Sequence, residues 1–114
     1  MDVYTYTTKG DKDLIYDYIN NLPIEGQSDG LNIIAKIERD GYGALEILNT
    51  RQLKNKLWEI KFSQSRLMYV IADENNMYIL HACKKQKGKA EQFELNKAIK
   101  RAKKLGEHLN KIFV

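Results

Sequence analysis

Cysteine is nearly absent: Cys83 is the only one among 114 residues. That excludes an internal disulfide framework and a zinc site built from several thiolates, and it suits a reducing compartment. Proline is as scarce, with Pro23 alone, and no stretch is rich in Pro, Gly or Ser, so flexible linkers and polyproline tracts are excluded too. No apolar run approaches the ~20 residues that a membrane helix needs. The opening MDVYTYTTKG lacks a basic-then-apolar leader pattern, so a cytoplasmic protein with no membrane contact is the expectation. With 43% hydrophobic and 30% charged residues, the chain can bury a core and does not read as disordered. Its length suits one domain, residues 1–114.

Negative charge is what the C-terminal third lacks. Residues 84–114 hold ten basic and three acidic side chains, against four basic and nine acidic in residues 1–50. Positive charge gathered at one end points to an anionic partner, nucleic acid being the commonest. A solvated lysine-rich helix face would give the same count.

What the sequence does hold is a run of strands from Leu57 to Cys83 that empties into KKQKGK. Trp58, Ile60 and Phe62 alternate with Leu57, Glu59 and Lys61, the period of a half-buried strand. Leu67, Tyr69 and Ile71 alternate with Arg66, Met68, Val70 and Ala72 in the next. In the third, Tyr78, Leu80 and Ala82 alternate with Met77, Ile79, His81 and Cys83, apolar enough for a central strand covered on both faces. The polar turns Ser63-Gln64-Ser65 and Asp73-Glu74-Asn75-Asn76 predict consecutive antiparallel pairing. Lys61, Arg66, His81 and Lys84 then lie near strand ends.

Upstream, Val3–Thr8 reads as a first strand. Asp11 is a candidate N-cap for a helix carrying Leu14, Ile15, Tyr18, Ile19 and Leu22. A second helix runs to about Asp40, with Leu31, Ile33, Ile34 and Ile37 inward and Gly41 as its stop. Residues 41–56 read as an ordered connector lying on the core. From Glu91 a last helix presents Leu95, Ala98, Ile99, Ala102 and Leu105, with Gly106 able to end it. The segment from His108 either frays or docks Leu109, Ile112 and Phe113. The expected class is α+β, in the order β, α, α, β, β, β, α: a sheet of about four strands, rich in antiparallel pairs, with a helical hairpin before it and a helix after it.

That order, with Leu57–Lys61 (LWEIK), Arg66–Tyr69 (RLMY), Leu80-His81 before Lys84-Lys85, and Ala98, Arg101 and Ala102 on the last helix, resembles the RelE/ParE toxin superfamily. The likeness is greatest to its HigB-like, phage-associated branch. Two departures stand out: Lys89-Ala90 replaces the Thr-Pro pair that usually opens the last helix, and Lys61 replaces a more usual arginine, keeping charge without the planar fork.

The resemblance implies the toxin of a type II toxin–antitoxin system: an endoribonuclease that cuts mRNA, in many members on the 70S ribosome, restrained by a cognate antitoxin of helix-turn-helix type. It implies no cofactor and no metal. The cut is attack of a ribose 2′-hydroxyl on the adjacent phosphate, which requires a base, a charge-stabilising cation and an acid. Arg66 suits the cation, its guanidinium gripping phosphate oxygens, or equally a surface ion pair with Glu59. Lys61, Lys84 and Lys85 are further catalytic candidates, since a lysine among other cations can act as a base. His81 suits acid or base work, though a lone histidine on an apolar strand also suits a hydrogen-bonded core role. Lys87 and Lys89 would hold RNA backbone without reading sequence, and Tyr69 would stack on a base or belong to the core. Two other readings stay open: a ParE-like toxin that acts on DNA gyrase without nuclease chemistry, and a basic RNA-binding module without catalysis.

Overall fold

The computed structural model describes residues 1–114. Along the chain lie β1 (Asp2–Thr5), α1 (Leu14–Asn20), α2 (Ile24–Asp40), α3 (Tyr42–Ile47), β2 (Thr50–Lys54), β3 (Leu57–Phe62), β4 (Ser65–Asp73), β5 (Asn76–Lys84) and α4 (Lys89–Leu109). The architecture is α+β: one five-stranded sheet in the order β1-β5-β4-β3-β2, antiparallel except where β1 runs parallel to β5. No helix is long and apolar enough to cross a membrane.

The three apolar runs form the expected meander, and both faces of the sheet are covered. Ile60, Phe62, Leu67, Tyr69, Met77 and Ile79 pack under α1 and α2, against Ile15, Ile19, Ile33, Ile34 and Ile37. Leu57, Met68, Val70, Leu80 and Cys83 pack under α4, against Ala98, Ala102 and Phe113. Each fully buried leucine or isoleucine contributes about 1.5–3 kcal/mol of transfer free energy.

Four local expectations are corrected. Residues 41–56 are not a connector: they fold into α3 and the edge strand β2, which pairs with β3. Glycines 41 and 43 read as loop, but Gly41 supplies a positive φ of 58° that both closes α2, as expected, and starts α3. Asp13, not Asp11, caps α1, its carboxylate accepting from the Ile15 and Tyr16 amides at 3.0 Å each, while Asp11 sits in a turn at φ 62°. Leu31 on α2 is 41% exposed instead of inward.

Gly106 does not end α4; the helix passes through it to Leu109, and Asn110 caps it at φ 58°. The glycine serves a close approach, since a Cβ there would lie 2.4 Å from the Lys111 carbonyl oxygen. The tail turns back across it, Lys111 N–H donating to Gly106 O at 2.9 Å and Lys56 N–H to Phe113 O at 2.8 Å. Phe113 ends 3% exposed beneath α4.

Candidate functional site

On the α4 side of the sheet the apolar packing gives way to charge at the end nearest the helix start. Register aligns the side chains in two rows. Arg51, Glu59, Met68 and His81 stand opposite one another across β2, β3, β4 and β5, and Lys61, Arg66 and Cys83 form the next row. β3 is therefore not half-buried, as its alternation predicts. Its charged face is roofed by α4, and Glu59 is wholly inaccessible.

Glu59 is the centre of this cluster. Arg51 Nε lies 2.8 Å from one carboxylate oxygen, with Lys61 Nζ 4.0 Å from the same atom, and Arg66 lies 3.5 Å from the other. None of these contacts has the alignment of a hydrogen bond, so both buried oxygens keep unfilled lone pairs, as Arg66 Nε keeps an unused donor. Three cations against one carboxylate leave an excess of positive charge. Glu91, in the first turn of α4, offsets part of it, accepting from Arg66 at 3.1 Å and Arg51 at 3.3 Å. The Arg66 hydrogen bond holds the Glu91 carboxyl below its usual range, with Arg51 adding to the effect. Arg66 also reaches Gln86 O at 3.4 Å, tying the lysine-rich loop to the sheet.

His81 reaches the same face through a bulge. Met68 pairs with His81 but Tyr69 pairs with Ile79, so Leu80 is an extra residue on β5 and the alternation slips by one. Leu80, His81 and Cys83 consequently all point toward α4. Arg101 donates to His81 Nδ1 at 2.9 Å and to Leu80 O at 2.8 Å, so the ring proton resides on Nε2, which donates to Glu94 at 2.8 Å. Burial pulls the His81 pKa down, opposed by Glu94, and the ring is neutral near pH 7. Both nitrogens are engaged, so His81 pins α4 to β5. Cys83 is buried too, and desolvation lifts its thiol to about 12.

His81, Cys83 and Glu94 place donor atoms within 4.8 Å of one another. A cation bound at His81 Nε2 would have to displace the proton that the Arg101 hydrogen bond keeps there.

The same bulge separates two of the candidate lysines. Lys84 pairs with Ser65, whose hydroxyl meets Tyr18 of α1 at 2.8 Å, and lines a cleft with Leu22, Pro23, Glu25 and Gly26. It stands on the face opposite Arg66, which corrects the expectation of one pocket shared by both. Lys85, whose N–H still bonds Gln64 O at 2.8 Å, falls by alternation on the Arg66 side. Lys84, Lys85, Lys87 and Lys89 are all exposed. Tyr69 is 4% exposed and packs under the helical hairpin, its phenol pushed up to about 12 by burial, so it offers no stacking surface.

Sequence reasoning gave no site role to Arg51, Glu91 or Glu94, named Arg101 only as part of the resemblance, and treated Glu59 only as an ion-pair partner. The available signal was a strand of alternating charge, Glu59 and Lys61, inside a stretch otherwise apolar.

No curated protein matches the chain. A family profile described as phage derived protein Gp49-like (DUF891) matches residues 17–103, from α1 into α4, and so spans the sheet strands and helices that build the cluster. The chain belongs to this Gp49-like, phage-derived family, which is RelE/toxin-like.

Proposed function

We propose that this chain is the toxin of a type II toxin–antitoxin pair of the HigB-like branch, a cytoplasmic single-domain enzyme that stops translation by cutting mRNA on the ribosome. The observation that carries the reading is the convergence of Arg51, Lys61 and Arg66 on the unfilled carboxylate of Glu59, beside the lysines that follow β5. Membership of a toxin-like family supports it. A helix-turn-helix antitoxin would be the restraining partner.

In the cut, the 2′-oxygen bonds to phosphorus as the bond to the 5′-oxygen breaks, leaving a 2′,3′-cyclic phosphate and a 5′-hydroxyl. Arg66, Lys61 and Arg51 stabilise the charge on the phosphorane. Glu59, wholly buried in the free chain, takes the 2′ proton only once the RNA has opened the cluster by displacing Glu91, using lone pairs that no hydrogen bond occupies. Lys85, exposed just after β5, returns a proton to the leaving oxygen in this reading, and Lys87 and Lys89 hold the backbone. Glu91 fills the position of a phosphate between Arg66 and Arg51, so the RNA has to displace its carboxylate. Lys84 lies outside this set, and His81 serves by fixing α4. The chemistry needs no cofactor.

The test is expression without the antitoxin. The wild-type chain should arrest growth, and Arg66→Ala should fold and be harmless; full toxicity of Arg66→Ala would remove the assignment. One observation favours a ParE-like reading instead: both of Arg66's anionic neighbours already neutralise it. Under that reading messages stay intact while DNA damage appears.

A further inference from the structure

One stripe of α4 is not used by the cluster. Phe93, Lys97, Lys100, Arg101 and Lys104 recur at helical spacing, and at a rise of about 1.5 Å per residue the stripe is roughly 16 Å long. Lys97, Lys100, Arg101 and Lys104, with Tyr6 from the segment after β1, line a groove of about 270 Å³. The arginine lies on the Tyr6 ring at 4.1 Å from its centroid. The charge is scarcely compensated: Lys97 has Glu94 at 3.8 Å, while Lys100 and Lys104 are exposed and enter no ion pair.

At the end of the stripe nearest the start of α4 stands Phe93, 59% exposed, contributing to neither core. Lys97 caps the ring at 4.5 Å from its centroid, which leaves an aromatic surface open. Other large apolar side chains such as Ile24 and Ile47 are exposed singly, but Phe93 is set within the lysine stripe, in contact with one of its cations. A cationic track with an aromatic platform is the combination that unpaired nucleotides require: phosphates along the charges, a base on the ring. An acidic peptide would satisfy the lysines and leave the ring without a stacking partner.

We infer that the Phe93–Lys104 stripe of α4 seats single-stranded RNA, with Lys97, Lys100 and Lys104 on successive phosphates and Phe93 under a base. Phe93 lies two residues beyond Glu91 and therefore on the opposite side of the helix, which makes the track a surface apart from the Glu59 cluster. The choice of RNA over other polyanions rests on the reading of the cluster as a site for cutting message. The track adds a second, non-cutting surface to it.

The experiment uses the full-length chain and a 2′-O-methyl oligoribonucleotide, which lacks the attacking hydroxyl, so binding is read without cleavage. Fluorescence anisotropy over a salt series compares wild type with K100Q/K104Q and with F93A, all substitutions at exposed positions. For a single strand the log–log salt slope should fall by about 1.4 in K100Q/K104Q, or 0.7 per lost charge. F93A should weaken binding roughly ten-fold with little change of slope. Unchanged affinity in both variants overturns the inference. So does stripe-dependent binding of an RNA duplex as tight as that of the strand, or competition confined to an acidic peptide. If Arg66→Ala stays toxic while these binding losses are seen, the cutting assignment fails and the track stands.

Discussion

Replacing Glu59 by glutamine separates a catalytic carboxylate from one that only arranges its neighbours. The substitution keeps the shape and removes the charge at a site with no solvent exposure. Breaking a buried ion pair costs about 3–5 kcal/mol when the stranded partner stays buried. Here Arg51 and Lys61, 45% and 27% exposed, can turn to water, and Arg66, 10% exposed, keeps Glu91. A net loss of about 1–3 kcal/mol remains, within the 5–15 kcal/mol of a typical domain, so the variant stays folded. In urea that is a midpoint shift of about 1 M, read by tryptophan fluorescence from Trp58. Loss of a general base should lower single-turnover cleavage of mRNA on translating ribosomes by about 10²–10⁴. Glu59→Asp, which keeps the charge on a shorter arm, should retain part of the rate. Cleavage by Glu59→Gln at the wild-type rate, with the midpoint shifted as expected, would refute the base assignment and leave Glu59 as a scaffold for its cations.

Gly106→Ala should destabilise by about 1–3 kcal/mol despite alanine's better helix propensity, because its Cβ meets the Lys111 carbonyl and lifts the tail that buries Phe113. Gly43→Ala in α3, with no atom within 4 Å of the new Cβ, should be neutral or stabilising by up to ~1 kcal/mol, and urea midpoints test both. His81 is held neutral by burial, so the unfolded chain binds more protons below its ordinary pKa of 6.5. Its contribution is therefore complete above about pH 6.5 and is lost as pH falls through the depressed folded value. Melting curves from pH 8 to 5 should show a decline that is shallower in His81→Gln. Cys83, with its thiol lifted to about 12, should resist alkylation at pH 8 until urea unfolds the chain, and rapid labelling of the native protein would contradict its burial.

Periodicity made the meander legible, since Trp58 to Phe62 and Leu67 to Ala72 sort onto the faces that alternation assigns them. It failed where local rules were broken by tertiary context. The β5 bulge at Leu80 has no sequence signature, yet it moves His81 and Cys83 to the α4 side and Lys84 away from Arg66. Residues 41–56 carry two glycines that read as loop, and their strand is fixed by pairing with β3, which no local propensity reports. Gly106 reads as a helix stop because glycine is common there, while its reason lies five residues ahead, where the chain crosses back.

For the candidate site, strand-borne Arg66 and Lys61 were visible as charges near strand ends. Their convergence on Glu59 depends on cross-strand register, and the role of Glu91 depends on where α4 lands. Charge segregation signalled a basic C-terminal third but not that its lysines divide between the loop after β5 and the outer stripe of α4.

The central claim is that the cationic cluster around Glu59 cuts message, and mapping of cellular RNA ends after brief expression without the antitoxin tests it most directly. Wild-type chain should produce new 5′-hydroxyl ends inside translated messages, and Arg66→Ala should produce none. Growth arrest with intact messages would contradict it.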